Sequence, residues 1–316
     1  MKQLNFNRPS GRRLSRGVSL IELMIALVLG LLVVGAAIGI FISNRQTFRA
    51  TENLARVQEN ARTAFELMAR DVREAGGNAC SNELPVANVV IPSANPWDTT
   101  WAVPVMGFDN GALAGTLAGT DAIQLLSSGS GAATVTTHNA ASTVFTLANA
   151  GHGFLANDVL MVCDPQQLSI FRASSVAGVS VGHAAAGGNC SDSLGLLPAV
   201  CAAPAYTHAP NSVITRLRAT RWFVAANGRG GNSLFQNVSG TVGEIAEGVQ
   251  DMQITYLQTL PAGVEAYVDA AAVTDWAAVR AARFVLDLEG QDRVGTDGNP
   301  LQRQLIHVVT LRSRNP

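Results

Sequence analysis

The chain has 316 residues, of which 47% are hydrophobic and 14% are charged, and its formal net charge is −1. This composition excludes an intrinsically disordered protein, because the apolar side chains suffice to bury a core, and the length allows one large domain or two. No basic patch interleaved with aromatic residues occurs, which argues against a nucleic-acid-binding protein.

Residues 1–17 form a basic leader. It contains Lys2, Arg8, Arg12, Arg13 and Arg16 and no acidic residue, which leaves 17 of the 22 basic residues against 23 acidic ones in the rest of the chain, a net charge of −6. We predict that the leader is cleaved off and takes no part in the fold. Because positive charge stays on the cytoplasmic side of a membrane, the domain that follows is expected in the periplasm.

An apolar run of about 25 residues follows, from residue 18 to residue 42, and Glu22 is its only charged side chain. A helix of this length can cross a hydrocarbon core, so we predict a single transmembrane helix in the inner membrane. A carboxylate near the end of such a helix is costly, which makes Glu22 a candidate functional residue. The alternative is a solvated carboxylate at the level of the lipid headgroups.

The same helix is predicted to continue as an amphipathic half through residues 43–76. Apolar residues recur at spacings of three and four, whereas charged residues such as Glu66, Arg70 and Asp71 are expected on a polar outer face. No proline interrupts the pattern, and Gly76 with Gly77 is a strong stop signal. We therefore expect the first half of the helix in the membrane or a filament core, and the second half packed on a globular head.

The head, residues 77–316, shows short apolar runs separated by turns. Strands are predicted at residues 121–126, 133–137, 143–147, 158–163, 169–172, 212–225, 233–237, within 276–288 and at 305–312, and loops are expected at 82–119 and 173–210. Residues 244–256 are expected to form a short helix or turn that runs into a strand. The predicted fold class is α+β, with the long N-terminal helix packed on an antiparallel β-sheet head.

Four cysteines, Cys80, Cys163, Cys190 and Cys201, lie in the part assigned to the periplasm, where disulfides form. They allow three pairings. Cys190 and Cys201 flank a short loop that contains Gly195 and are the natural local pair, which leaves Cys80 with Cys163 to tie the helix end to the sheet. Free buried thiols are the alternative, and zinc is disfavoured because no Cys-x-x-Cys spacing occurs.

No enzyme motif is present. The chain lacks a Gly-x-Ser-x-Gly elbow, a phosphate-binding loop and a His-Glu-x-x-His zinc motif. The five histidines are scattered, and we expect loop or edge residues rather than ligands at His138, His152, His183, His208 and His307. Neither a catalytic activity nor a metal or cofactor is predicted.

The start of the apolar run resembles the type III signal of prepilins, in which a glycine precedes the new N-terminal residue and a glutamate stands at position five of the mature chain. The matching run is Gly17-Val18-Ser19-Leu20-Ile21-Glu22-Leu23. Val18 departs from the phenylalanine that is usual in the family. The resemblance implies that prepilin peptidase cuts after Gly17 and methylates the amine of Val18. It also implies that Glu22 neutralises this amine of a neighbouring subunit in the filament.

Later segments resemble the PilW family of minor pilins. They are the helix end, at residues 57–62 and 67–76, and the segments 247–256, 279–284 and 309–314. The resemblance implies a type IV pilin-like fold and a low-abundance subunit near the pilus tip. Such a subunit primes assembly together with other minor pilins and the major pilin, and a large tip adhesin can dock on the complex.

The main alternative is a minor pseudopilin of the larger tip class in a type II secretion system, because both kinds of protein share the N-terminal helix. The cysteine pairs, the large head and residues 247–256 favour the pilus subunit. A DNA-uptake pilin would need a basic surface stripe, and the mature net charge of −6 argues against one. An enzyme tethered by a signal anchor is the least favoured class.

Overall fold

The computed structural model describes residues 17–81, 83–91, 97, 99–185, 187–196, 201, 204–260, 263–290, 292–293, 295 and 298–314. The predicted leader lies outside the described residues except for Gly17. The chain divides after Glu52 into two units, the first ending at Glu52 and the second comprising Asn53–Pro316.

One long helix, α1, spans Leu20–Glu74. No proline interrupts it, so every turn keeps its backbone hydrogen bonds. Beyond its end Gly76 has a φ of +72°, a left-handed conformation that suits glycine. The N–H of Gly76 donates to the carbonyl of Leu126 at 2.8 Å, which ties the chain after the helix to a strand of the head.

The described residues of the second unit form 16 strands and three short 3-10 helices. The strands are β1 Val86–Asn88, β2 Val105–Phe108, β3 Ala122–Ser128, β4 Ala133–Asn139, β5 Val144–Leu147, β6 Val159–Cys163, β7 Leu168–Arg172, β8 Ser175–Ala177, β9 Ser180–Gly182, β10 Val213–Ala226, β11 Asn232–Val238, β12 Thr241–Glu247, β13 Val249–Thr259, β14 Glu265–Val268, β15 Ala281–Glu289 and β16 Gln302–Thr310. The 3-10 helices are Ala270–Ala272, Trp276–Ala278 and Arg312–Arg314.

Strand β10 connects the parts of the larger sheet. Its beginning pairs with β6 and β4, and its remainder pairs with β3 and β11. The strand order is β1-β7-β6-β10-β4-β5-β9-β8, with β2 attached through β3 and β12 through β11. A separate antiparallel sheet has the order β14-β13-β15-β16. Among the described strands, β1 and β7 form the one parallel pair.

The second half of α1 packs on the four-stranded sheet and buries a continuous apolar face. The helix contributes Val57, Ala61, Ala64, Met68 and Val72, and the sheet contributes Met252, Ile254, Phe284, Leu286 and Val309. Removal of this surface from water is the main favourable contribution to the stability of the head. The predicted α+β class, with a helix packed on an antiparallel-rich β head, is confirmed.

Several short strands were hidden from the sequence pattern. The loop predictions for residues 82–119 and 173–210 are wrong in part, because β1, β2, β8 and β9 lie there and have only three or four residues each. Strand β12 replaces the expected turn or helix at residue 244. Ser239 and Gly240 both have positive φ and close a hairpin that pairs β12 with β11.

Asp71 is the exception to the polar outer face predicted for α1. It is 4% exposed, and its carboxylate accepts a hydrogen bond from the guanidinium of Arg218. The carboxylate also accepts from the indole N–H of Trp222 at 3.0 Å and from the amide of Gln236 at 2.7 Å. The expected outer position is therefore wrong for Asp71, because β10 and β11 cover this side of the helix.

Two disulfides are present in the head. Cys80 is bonded to Cys163 and Cys190 to Cys201, the same two pairs that the cysteine positions favour. Cys80 follows the end of α1, and Cys163 is the last residue of β6. The first bond therefore connects the helix end to the larger sheet, whereas the second closes a local loop.

We expect loss of the first disulfide to destabilise the head more than loss of the second. A disulfide restricts the unfolded chain more strongly when it closes a longer loop, and separations of 83 and 11 residues correspond to roughly 4.5 and roughly 3 kcal/mol. The paired variants Cys80→Ser/Cys163→Ser and Cys190→Ser/Cys201→Ser leave no unpaired partner and control for each other. Chemical denaturation of the full chain in detergent micelles measures both, and a larger loss for the second pair would contradict the expectation.

Candidate functional site

The segment before α1 is short and accessible. Gly17, Val18 and Ser19 are non-helical and exposed, and Val18 is 67% exposed. A Cβ placed on Gly17 meets no atom within 4 Å, so the described chain does not itself require a glycine there. Any requirement for glycine at this position must come from a molecule that acts on the segment.

A serine N-cap begins α1. The backbone N–H of Glu22 donates to the hydroxyl of Ser19 at 3.2 Å and to its carbonyl at 3.1 Å. Ser19 is therefore the N-cap and Glu22 the third residue of the helix. The carboxylate also lies at the positive end of the helix dipole. Serine followed three residues later by glutamate is also the sequence signature of a capping box, in which the glutamate side chain would bond the backbone N–H of the serine.

The apolar half of α1 has an exposed hydrophobic surface. The large apolar side chains between residues 18 and 42 are 52–78% exposed. Among the described residues one helix is long and apolar enough to cross a membrane, and it contains this stretch. A surface of this kind requires lipid or other apolar chains around it, and the helix is compatible with single-pass membrane anchoring.

The prokaryotic N-terminal methylation motif matches residues 12–38. It supports a type IV pilin-like or pseudopilin-like protein. The matched stretch contains Gly17, the cap Ser19 and Glu22, and it ends inside the apolar half of α1. No curated protein and no solved structure matches the chain. For this pilin-like chain, the motif implies processing by prepilin peptidase and assembly with other pilins, and it points to a structural subunit rather than an enzyme.

The head of the pilin-like chain contains a buried histidine cluster. Nε2 of His138 on β4 lies 2.9 Å from Nε2 of His183, which follows β9. His208 lies before β10, with Nδ1 3.1 Å from a carboxylate oxygen of Asp164 and Nε2 2.9 Å from the hydroxyl of Ser169. The three histidines are 8%, 1% and 1% exposed. His183 and His208 lie in loops and His138 on a strand, as expected, but the three are buried and meet, so the expectation that they are scattered is wrong.

Long separations along the chain conceal the cluster from sequence reasoning. His183 lies 45 residues after His138, and His208 lies 70 residues after it. No local periodicity marks any of the three as a neighbour of the others. The remaining two histidines lie apart from the cluster. Nε2 of His152 hydrogen-bonds to the carbonyl of Gly178, and His307 stacks on Phe65 with ring centroids 3.8 Å apart.

The cluster has the geometry of a hydrogen-bonded network. In the part of the chain that the structure describes, no group of three or more histidine, cysteine or acidic side chains is arranged to hold a metal ion. Asp164, His208 and Ser169 stand in the order of a hydrolase triad, but Ser169 is 0% exposed and accepts a hydrogen bond from the amide of Gln167 at 2.8 Å. A substrate therefore has no access to this hydroxyl, and the network stabilises the fold.

Proposed function

We propose that the chain is a minor pilin that helps to initiate assembly of a type IV pilus and occupies a position at or near the pilus tip. The proposal rests on the methylation motif at residues 12–38, which leads into an apolar helix with Glu22 as its single charge up to residue 42. A simple membrane anchor needs no charge in its first turn. A subunit that buries a new N-terminal amine against its neighbours needs a counter-charge there.

In this proposal, prepilin peptidase cleaves between Gly17 and Val18 and methylates the amine of Val18. The chain is first a single-pass protein of the inner membrane with its head in the periplasm, as the basic leader favours, and it is then incorporated into the extracellular pilus. Its partners are the peptidase, other minor pilins, the major pilin and a large adhesin at the tip. It takes part in twitching motility and cell adhesion through the pilus, and it binds neither nucleic acid nor a cofactor.

The segments that resemble PilW belong to one region of the head. Residues 57–62 and 67–76 include the part of α1 that packs on the four-stranded sheet, and residues 247–256 run from the end of β12 into β13 of that sheet. Residues 279–284 enter β15, and residues 309–314 follow from β16. The PilW-like segments therefore lie in the core formed by α1 and the four-stranded sheet, and this placement supports a PilW-like subunit. Most of the larger sheet lies outside these segments.

Two substitutions of Glu22 test its proposed role in assembly. Glu22→Gln keeps groups that can complete the capping box but removes the charge, whereas Glu22→Ala removes both. We expect both variants to be cleaved and inserted normally and to lower surface piliation at least about tenfold, because the buried amine of a neighbouring Val18 loses its counter-charge. Immunoblots measure processing, and electron microscopy of sheared cells measures piliation.

Glu59→Gln is the matched control, because Glu59 is an exposed carboxylate of the same helix, and its piliation is expected to equal that of the parent. Normal piliation of Glu22→Gln together with failure of Glu22→Ala would assign Glu22 to the helix cap instead. Normal piliation of both variants would show that Glu22 has no role in assembly.

A minor pseudopilin at the tip of a type II secretion pseudopilus is the alternative function, since the methylation motif supports either kind of filament subunit. A clean deletion of the gene, complemented with the full chain, separates the two. We expect loss of surface pili and twitching with intact secretion of exported enzymes. Loss of secretion with normal pili would establish the pseudopilin, and an unchanged phenotype in both assays would contradict both functions.

A further inference from the structure

The hydrogen bonds at three ring nitrogens of His138 and His183 are those of neutral rings. The backbone N–H of His208 donates to Nδ1 of His138 at 2.9 Å, so this nitrogen carries a lone pair and the ring proton of His138 is on Nε2. That N–H points at Nε2 of His183, 2.9 Å away, which therefore accepts. A proton added to either accepting nitrogen would place two donors against each other and break the hydrogen bond.

His208 differs from the other two rings because it can accommodate a second proton. Its Nδ1 donates to Asp164, and its Nε2 accepts from the hydroxyl of Ser169. When Nε2 gains a proton, that hydroxyl can turn to the carbonyl of Leu194, which lies 2.9 Å away. The carboxylate of Asp164 then neutralises the charged ring. Protonation therefore breaks hydrogen bonds at His138 and His183 but not at His208, although burial lowers the pKa of His208 to about 4 as well, against the opposing charge of Asp164.

The groups packed around these two rings do little to stabilise a positive charge. Phe145 stacks on His138 with ring centroids 4.0 Å apart, and Phe171 contacts His183 edge-on. Asp192 is the carboxylate whose charge acts on His183. Asp164 and Tyr206 face His208 instead, and the tyrosine hydroxyl donates to the carboxylate at 2.8 Å.

Burial, with smaller contributions from the neighbouring His183 and His208, lowers the pKa of His138 to about 3. Burial also lowers the pKa of His183 to about 4, against an opposing contribution from Asp192. Both values are below the ordinary histidine pKa of about 6.5 that these rings regain once they are exposed to water. The closed arrangement therefore binds fewer protons than an open one.

The cluster fastens residues 204–212 to the strands beneath them. Tyr206 donates to Asp164 in the turn between β6 and β7, and the backbone of His208 is bonded to the ring of His138 on β4. A cleft of about 640 Å³ lies beside this contact and is lined in part by His138 and Tyr206, which gives water and protons a route to the ring.

We propose that His138 and His183 form an acid-sensitive latch, which holds residues 204–212 on the larger sheet at neutral pH and releases them when either ring is protonated. Because the pKa of each ring is depressed in the closed state, the latch is fully closed above about pH 6.5 and opens as the pH falls toward 4. The open population rises up to about tenfold per pH unit for each of the two histidines.

Amide hydrogen exchange of the full chain in detergent micelles, followed by mass spectrometry, tests the latch. Labelling times at pH 7.5 and pH 4.5 are scaled for the intrinsic exchange rates. We expect protection of peptides within residues 204–212 to fall at least about 100-fold at the lower pH, whereas peptides from β13 and β15 change by less than about threefold. Equal protection of residues 204–212 at the two pH values would overturn the proposal.

The double variant His138→Gln/His183→Gln keeps an accepting oxygen and a donating amide at each position but cannot titrate there. We expect its protection to fall far less than that of the parent between pH 7.5 and pH 4.5, with the remaining loss due to His208, whose pKa burial also lowers, whereas the control His307→Gln, outside the cluster, behaves like the parent. A loss of protection in the double variant as large as that in the parent would overturn the latch. If the double variant does not fold, histidine C2 hydrogen exchange measures the pKa values of His138 and His183 in the parent. Values of 6 or above would refute the latch.

Discussion

Replacing Gly17 with lysine is expected to leave the uncut precursor in the membrane and to abolish incorporation of the pilin-like chain into a filament. The described chain leaves open space around Gly17, so lysine disturbs no contact within it. The effect therefore arises in prepilin peptidase, which has to draw the residue before the new N-terminus into its active site. Without cleavage the amine of Val18 does not form, and Glu22 has no partner on a neighbouring subunit.

Intact mass spectrometry of the membrane-extracted chain measures this outcome directly. The parent is expected to lack residues 1–17 and to carry one added methyl group, whereas Gly17→Lys retains the leader. Gly39→Ala is the matched control, because a Cβ at Gly39 also meets no atom within 4 Å, and it should be processed normally. Parental processing of Gly17→Lys would refute cleavage at this glycine.

We expect Asp71→Ala to destabilise the head by about 3–5 kcal/mol, because it leaves the buried indole of Trp222 and the partly buried guanidinium of Arg218 without their acceptor. The carboxylate of Asp71 is 4% exposed and accepts hydrogen bonds from the guanidinium of Arg218, the indole of Trp222 and the amide of Gln236. Alanine leaves all three donors without this acceptor beneath the helix. For a head of this size the loss corresponds to a fall in Tm of roughly 10 °C.

Near-UV circular dichroism of the full chain in detergent micelles follows this unfolding through the buried indole of Trp222. Glu74→Ala is the matched control at the same helix end, since Glu74 pairs with Arg70 and their side chains are 43% and 66% exposed. A solvated pair of this kind contributes less than about 1 kcal/mol. A Tm for Asp71→Ala as high as that of Glu74→Ala would show that the contacts of Asp71 do not stabilise the packing of the helix on β10 and β11.

Local signals account for the parts of the fold that sequence reasoning predicts well. The helix follows from an uninterrupted apolar and then amphipathic pattern, and its stop follows from Gly76, whose positive φ the structure requires. Strand β10 is long enough for its alternation to be unambiguous. Strands of three or four residues, such as β1 and β8, carry too few side chains for a pattern and are held by their neighbours instead.

The sequence by itself determines the α+β class, the long helix and the apolar stretch with its single carboxylate, because each depends on residues close together in the chain. Tertiary structure alone decides that Asp71 is buried, since its partners on β10 and β11 are 147–165 residues away. It also decides that His138, His183 and His208 meet. Periodicity reports which face of an element is apolar, but the strand that covers that face is chosen by contacts between distant segments.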